Sequence, residues 1–515
     1  MELLIESAAT VGVVYCCFLL WKLLKSVLWE PWTIKRAFEN QGVKCLPYTP
    51  LLGNLQEISG MVKAANAAPL PLLPHNIILR VAPHLELWKK TYGDKFVFWL
   101  GFRAVLPVDN PEHAKEILSN KFGHFKKLTL RPDTKDMGRE GVALLEGERW
   151  AQHRRIISPA FFVEKLKVMT PTMIHCIHAM LDKWESQLEG HAPVEIDVHE
   201  DFKVLTADII AHTAFGSTYA EGMQVFKLQQ KQQVIIAKRL RSIYIPGFRF
   251  LPTRGNQYGW SLKKQIQKSI EHIIKCREND HSTDDLLGIL MAANRKELLG
   301  SQKKLTLSLN EIVDECKTFF FAGHETTANL MTWTTMLLAI NPEWQERARE
   351  EVLHVLSKEA PTYDLLHNLK IVGMVLNESL RLYPPGIIIF RETAKNMTLG
   401  NLSIPAYTML MISVISLHCD PAFWGKDVLE FNPQRFADGV GSACEPPFAF
   451  LPFSMGPRHC VGQNFAMTEA RAILAMMLQR FRFSLSPGYS HCPTTVLTLQ
   501  PQHGMQILFQ KLEQN

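Results

Sequence analysis

The chain predicts a mainly α-helical protein with a minor β region: one large helical domain behind an N-terminal transmembrane helix. Three observations carry that prediction. Across residues 111–291 apolar positions recur at three- and four-residue spacing, the period of helices with one buried face. Ser308 and Glu311 form a capping box ahead of apolar periodicity that runs to Ile340 and stops at Asn341-Pro342. Strand candidates are few and short: Phe96–Leu100, then residues 387–391, 397–404 and 409–415. No internal repeat and no Gly/Ser linker divides the 515 residues, so one core is expected despite the length.

Taken in order, the chain opens with a stretch free of charge from Ser7 to Trp21. Lys22 and Lys25 can snorkel, which extends the apolar run to Trp29 and gives roughly 22 residues, enough to span a bilayer. Glu2 and Glu6 precede the run and the lysines follow it, the reverse of a cleaved signal peptide. Residues 1–29 therefore read as a retained single-pass anchor with a lumenal start and a cytosolic body. Residues 30–54, with Pro31, Pro47 and Pro50, read as a hinge in which proline ends the membrane helix. Residues 55–515 read as the domain that carries the chemistry. Within it, residues 244–252 form an apolar loop. The capped helix should measure about 32 residues, or near 48 Å at roughly 1.5 Å each. Further helices are expected over 343–357, 369–382 and 463–479.

Hydrophobic content of 47% against 21% charged residues excludes a disordered chain. The ten cysteines are scattered with no Cys-x-x-Cys pair, which argues against a zinc ribbon or a disulfide framework and for a reducing compartment. The net charge of +6 is modest and not gathered into a nucleic-acid-binding arm. Basic residues instead crowd positions 22–36 beside the membrane, with a second group at His153, Arg154, Arg155, Lys165 and Lys167. Anionic lipid and an acidic protein partner are the expected attractions. Asn377, Asn396 and Asn401 open glycosylation sequons that a cytosolic body would leave unused.

The most informative segment is Phe453-Ser454-Met455-Gly456-Pro457-Arg458-His459-Cys460-Val461-Gly462. It sets Cys460 just before a helix, where unpaired N–H groups and the helix dipole favour a thiolate. Gly456 and Gly462 let the backbone curl around the sulfur without a side chain obstructing a flat ligand. Phe453 supplies an apolar shield and Arg458 a cation for an acidic group. That combination describes haem with a cysteine axial ligand; the plainer reading is a helix-capping loop with a small buried cysteine. Within the long helix, Ala322-Gly323-His324-Glu325-Thr326-Thr327 pairs small residues with an acid and an alcohol, a place where protons could reach bound dioxygen. A zinc-protease reading of His324-Glu325 fails, because the second histidine would fall at Ala328.

The pattern Phe-x-x-Gly-x-Arg-x-Cys-x-Gly over residues 453–462 resembles the haem-binding signature of the cytochrome P-450 superfamily. Glu378-Ser379-Leu380-Arg381, with Arg435 in the later Phe431-Asn432-Pro433-Gln434-Arg435-Phe436, is similar to the superfamily's Glu-x-x-Arg helix and the loop that completes a buried ion-paired triad. Trp150-Ala151-Gln152-His153-Arg154 resembles its Trp-x-x-x-Arg helix. Residues 322–351 and 431–470 look most like a microsomal plant clan that includes brassinosteroid, cytokinin and gibberellin hydroxylases and triterpenoid and fatty-acid oxidases. Gln434 stands where the family often has glutamate.

The resemblance implies a cytochrome P-450 fold and haem b (iron protoporphyrin IX) with Cys460 as metal ligand. Trp150, Arg154, Arg391, Phe453, Arg458 and Gly462 would bind the cofactor, and Glu325 and Thr326 would relay protons to dioxygen. It also implies a small apolar substrate, electrons from an NADPH-cytochrome reductase (a flavoprotein), residence in the endoplasmic reticulum membrane, and a monomer that binds no nucleic acid. The pocket is expected at Phe319, Phe320, Ala322, residues 387–389 and residues 496–499. Two other readings remain: a haem-thiolate isomerase or dehydratase without a reductase, and a non-catalytic haem sensor or carrier. The Glu325–Thr326 pair argues against the first and an apolar pocket against the second. The substrate itself is not legible.

Overall fold

The apolar start folds as α1 (Glu2–Leu24), a π-helical turn (Lys25–Trp29) and α2 (Glu30–Glu39) in uninterrupted succession. The computed structural model describes residues 2–512 apart from 121–122, 136–140, 189–191, 217–218, 279–281, 283, 299–305 and 358–359. The helix over Thr10–Glu39 is long and apolar enough to cross a membrane. Pro31 does not end it. Proline lacks the N–H that the Val27 carbonyl would otherwise receive, and the Tyr48 hydroxyl donates to that carbonyl instead, at 2.6 Å. Val27, Pro31 and Phe38 are buried, so the lower part of the helix lies against the body.

The principal helices that follow are α3 (Pro111–Ser119), α4 (Gly147–Ile157), α5 (Val163–Gln187), α6 (Val198–Phe215), α7 (Tyr219–Leu240), α8 (Arg254–Cys276), α9 (Leu309–Ile340), α10 (Pro342–Leu356), α11 (Lys370–Leu382) and α12 (Gln463–Arg480). The spine is α9, with both bonds of the Ser308–Glu311 capping box formed and 32 residues ending before Pro342. It is buried on most sides, which requires close neighbours. A Cβ at Gly323 would overlap the Ile210 side chain of α6, so glycine there sets the closeness of the α6–α9 crossing. Thr206 of α6 donates to the His324 carbonyl across the same crossing, at 2.9 Å.

A six-stranded sheet packs against α2 and α3 through its third strand. Its strands are β1 (Lys44–Cys45), β2 (Phe96–Leu100), β3 (Arg103–Val108), β4 (Phe125–Lys126), β5 (Ile388–Thr393) and β6 (Met409–Ser413), in the order β1-β2-β3-β6-β5-β4. The expected strand over 397–404 is a hairpin of two three-residue strands, Met397–Leu399 and Leu402–Ile404, turned at Gly400 with φ +58°. The strand expected over 409–415 stops at Ser413, whose hydroxyl caps the short helix Val414–His418. A second sheet pairs Gln506–Lys511 with both Phe481–Leu485 and Val194–Asp197.

Beside the cysteine loop the interior is locked by charge. Glu378 and Arg381, both fully buried, meet through two hydrogen bonds of 2.7 Å. Arg435 lies 3.5 Å from Glu378, and the Asn432 N–H donates to the same carboxylate at 2.9 Å. Arg381 spends its remaining donors on the His418, Val428 and Glu430 carbonyls. This satisfies the guanidinium and staples the end of the Val414–His418 helix and the 428–430 loop to α11.

Candidate functional site

Cys460 sits two residues before the N-cap of α12, Gly462, and its backbone N–H donates to the Phe453 carbonyl at 2.9 Å, closing the loop on itself. Its accessible surface opens into a cavity of about 330 Å³ while protein surrounds it on the other sides. Burial pushes the thiol up, with the Gly462 N–H and the Arg154 charge acting in the opposite direction. Burial thus outweighs the helix terminus that was expected to favour the thiolate.

The two loop glycines serve different ends. Gly456 has φ +69°, and a Cβ there would overlap the Leu118 carbonyl in the last turn of α3, so it makes a turn and a close backbone approach. A Cβ at Gly462 would find only the Phe161 ring at 3.9 Å, leaving the space over the α12 terminus open to the cavity. Ser454 lines that cavity in a left-handed conformation (φ +60°), its buried hydroxyl without a hydrogen-bond partner among the described residues.

Cations gather at one side. Arg458 lines the cavity, stacks over the Trp150 ring at 4.0 Å, pairs with Glu146 at 2.9 Å and donates to the Leu145 carbonyl at 2.6 Å. Arg391 is buried and donates to the Phe390 carbonyl. Burial, then Arg458, pulls Arg391 down to about 10. The third member, Lys127, was not foreseen. Strands β4 and β5 pair Phe125 with Thr393 and Lys126 with Glu392, and one step further along that antiparallel register sets Lys127 opposite Arg391. Burial, Arg391 and Arg458 pull the Lys127 ammonium down to about 7, against the pull of Glu146. In sequence Lys127 looks like half of an ordinary Lys126-Lys127 pair; Lys126 takes Glu392 at 3.2 Å. Arg154 acts on Arg458 through its charge and donates to the His459 carbonyl at 3.0 Å.

Across the cavity, α9 presents Phe319, Ala322, Gly323, Thr326 and Thr327. The Thr326 hydroxyl donates to the Ala322 carbonyl at 2.7 Å. Glu325 does not line the cavity. It is buried, accepting a hydrogen bond of 2.5 Å from Thr498, which in turn accepts from Asn329 at 3.1 Å. Residues 496–499 are therefore not pocket wall as expected; Thr498 holds Glu325 instead. Phe320 also turns away, stacking on Phe215 at 4.0 Å. Ile388 and Ile389 are in the wall, Ile387 is not, and Phe161, Ile210 and Phe465 join unannounced. Arg458 is the one charged residue of the wall among the described residues.

A flat metal macrocycle with acidic substituents fits this donor set. A single soft thiol faces a largely apolar slot, with glycine rather than a side chain at its lip. Lys127, Arg391 and Arg458 repel one another with Glu146 as shared counter-charge, an arrangement that added carboxylates would relieve.

Comparison with known proteins converges on one group. A family profile described as Cytochrome P-450 matches residues 69–509. Cytochrome P-450 734A1 of Arabidopsis thaliana is 43% identical over 496 residues, covering 94% of this chain and 93% of its own. Secologanin synthase 1 of Catharanthus roseus is 41% identical over 500 residues, covering 96% and 95%. Among solved structures, retinoic acid-bound cyanobacterial CYP120A1 superposes with a TM-score of 0.76 over 91% of this chain and 99% of that one; at 24% identity the likeness is one of fold.

Proposed function

The chain belongs to the cytochrome P-450 monooxygenase family, and from that premise we propose that it hydroxylates an apolar small molecule over a haem b held by Cys460. Bound haem supplies the activation of dioxygen, with the Cys460 thiolate as its electron-donating ligand. Lys127, Arg391 and Arg458 hold the cofactor's carboxylates, with Trp150 stacked beneath Arg458. Arg154, bonded to His459, steadies the cysteine loop from behind. Phe453 and Gly462 line the slot beside the sulfur.

Thr326 donates its hydroxyl proton into the helix, so its oxygen is left to accept a proton donor in the cavity. Glu325, whose carboxylate accepts from Thr498 on the buried side of α9, is assigned with Thr326 to the relay of protons toward the cavity. The apolar wall from Phe161, Ile210, Phe319, Ile388 and Ile389 orients substrate and excludes water. It suits a plant hormone, steroid, terpenoid or fatty acid, and a secologanin synthase among the relatives is consistent with small-molecule biosynthesis. The apolar N-terminal helix supports a single-pass anchor in the endoplasmic reticulum with a cytosolic body, fed with electrons by an NADPH-dependent flavoprotein reductase.

The observation that carries the reading is a lone thiol opening into a largely apolar cavity opposite Ala322 and Thr326, with Arg458 in its wall and Arg391 and Lys127 electrostatically coupled to it. The test is the reduced, carbon-monoxide-bound difference spectrum of the membrane-expressed protein. A strongly red-shifted Soret band, lost in Cys460→Ala, is expected. A band at the position typical of imidazole ligation in folded protein would remove the monooxygenase reading. Reductase-dependent NADPH consumption coupled to product then separates it from an isomerase.

A further inference from the structure

Away from the cavity, three metal-binding side chains of different chemistry converge where α7 begins and α8 ends. His272 and Cys276 are one helical turn apart on α8 and share a face, and Glu221 lies in the first turn of α7. The His272 Nε2 is 3.7 Å from the Cys276 Sγ and 3.7 Å from the Glu221 Oε1, and the three donor atoms all lie within 4.8 Å of one another.

Those spacings, a sulfur–nitrogen hydrogen bond and a loose ion pair, are close to those of a ligand set. A nitrogen–oxygen hydrogen bond closes to about 2.7–3.2 Å, so His272 and Glu221 stand too far apart for one. Tetrahedral zinc, with Zn–S about 2.3 Å and Zn–N and Zn–O about 2.0–2.2 Å, separates its ligand atoms by about 3.4–3.6 Å. The two 3.7 Å distances from His272 need only tenths of an ångström of closure, and the remaining pair lies within 4.8 Å. A second cluster, Cys176, Asp208 and His212, is less suited: the His212 Nδ1 is already engaged by the Asp208 main-chain carbonyl at 3.0 Å, and Cys176 is buried. The Glu221 cluster is also reachable, since the His272 side chain is 65% exposed and Cys276 is exposed.

We propose that Glu221, His272 and Cys276 form a surface site for zinc(II) that pins the start of α7 to the end of α8. Binding forms one bond each to sulfur, nitrogen and oxygen, releases the Cys276 thiol proton to solvent and leaves the fourth position to water. The clamp bears on the same helix that rests Phe226 against Phe320 and His324 of α9. It shares no residue with the cavity and does not depend on the cofactor reading.

The test uses full-length holoprotein in detergent, stripped with a chelator and dialysed against micromolar zinc chloride, with zinc and iron counted by elemental analysis. Wild type should retain one zinc per chain more than Cys276→Ser or His272→Ala. Glu221→Gln should weaken zinc binding by more than about tenfold, the lower end of what even outer-sphere changes produce. Zinc should raise the thermal midpoint of wild type and leave that of Cys276→Ser unmoved. An unchanged far-ultraviolet circular dichroism spectrum certifies that the variants are folded. Equal zinc content in wild type and both variants, or none retained by wild type, overturns the proposal.

Discussion

Lys127 shows what a single residue contributes to this site. With its ammonium pulled down to about 7 by burial and two neighbouring guanidinium groups, it is half-discharged near neutral pH until carboxylates arrive. Bound carboxylates raise that value again, so the loaded protein holds more protons than the empty one from about pH 7 upward. Cofactor affinity is therefore greatest below about 7 and falls as pH rises through the loaded-state pKa. Lys127→Met should speed haem transfer to a globin scavenger several-fold at pH 7 and flatten that pH dependence. An unaltered profile would place Lys127 outside the cofactor's reach. On the opposite wall, Thr326→Ala should keep haem bound while most NADPH consumption ends in hydrogen peroxide rather than product. Thr498→Val, which unties Glu325 without touching the cavity, should change the solvent isotope effect on turnover more than KM.

At the level of elements, two contacts decide how helices meet. Gly323→Ala gains about 1 kcal/mol of helix propensity but drives a methyl into Ile210, an overpacking that costs about 1–3 kcal/mol. Ile210 is buried and can move only toward the cavity it lines, so net destabilisation of about 1 kcal/mol is expected in denaturant unfolding. Adding Ile210→Ala should relieve the overlap and make the pair clearly non-additive. At the membrane end, Tyr48→Phe leaves the Val27 carbonyl without its donor, a loss of about 1–3 kcal/mol. Amide exchange over residues 25–39 should then quicken, while the carbon-monoxide spectrum stays as in wild type. Unchanged exchange would mean that the helix is held by packing alone.

For the whole molecule, the Glu378–Arg381–Arg435 knot joins α11 to the loops that frame the cysteine segment. Arg381→Ala strands a fully buried carboxylate and should cost about 3–5 kcal/mol, read as loss of soluble, haem-loaded protein. Glu378→Gln combined with Arg381→Met removes both charges and should recover part of that loss. If the double variant is no better than the single one, the knot matters for its shape rather than for its uncompensated charge.

Local chemistry made much of this protein legible in one dimension. The long helix follows from its capping box and its terminal Asn341-Pro342, and the cysteine loop, the acid–alcohol step and the ion-paired helix are contiguous strings. What tertiary structure alone decided are the pairings between distant segments. Lys127 joins Arg391 through a strand register, Thr498 takes Glu325 away from the cavity, and Gly323 answers to Ile210 as well as to the cavity it lines. Pro31 alone signals a helix end; only the Tyr48 hydroxyl, 17 residues later, makes continuation affordable. Periodicity and caps are written in neighbours three or four residues apart. A burial-shifted charge or a borrowed hydrogen-bond donor is set by whatever the fold brings alongside.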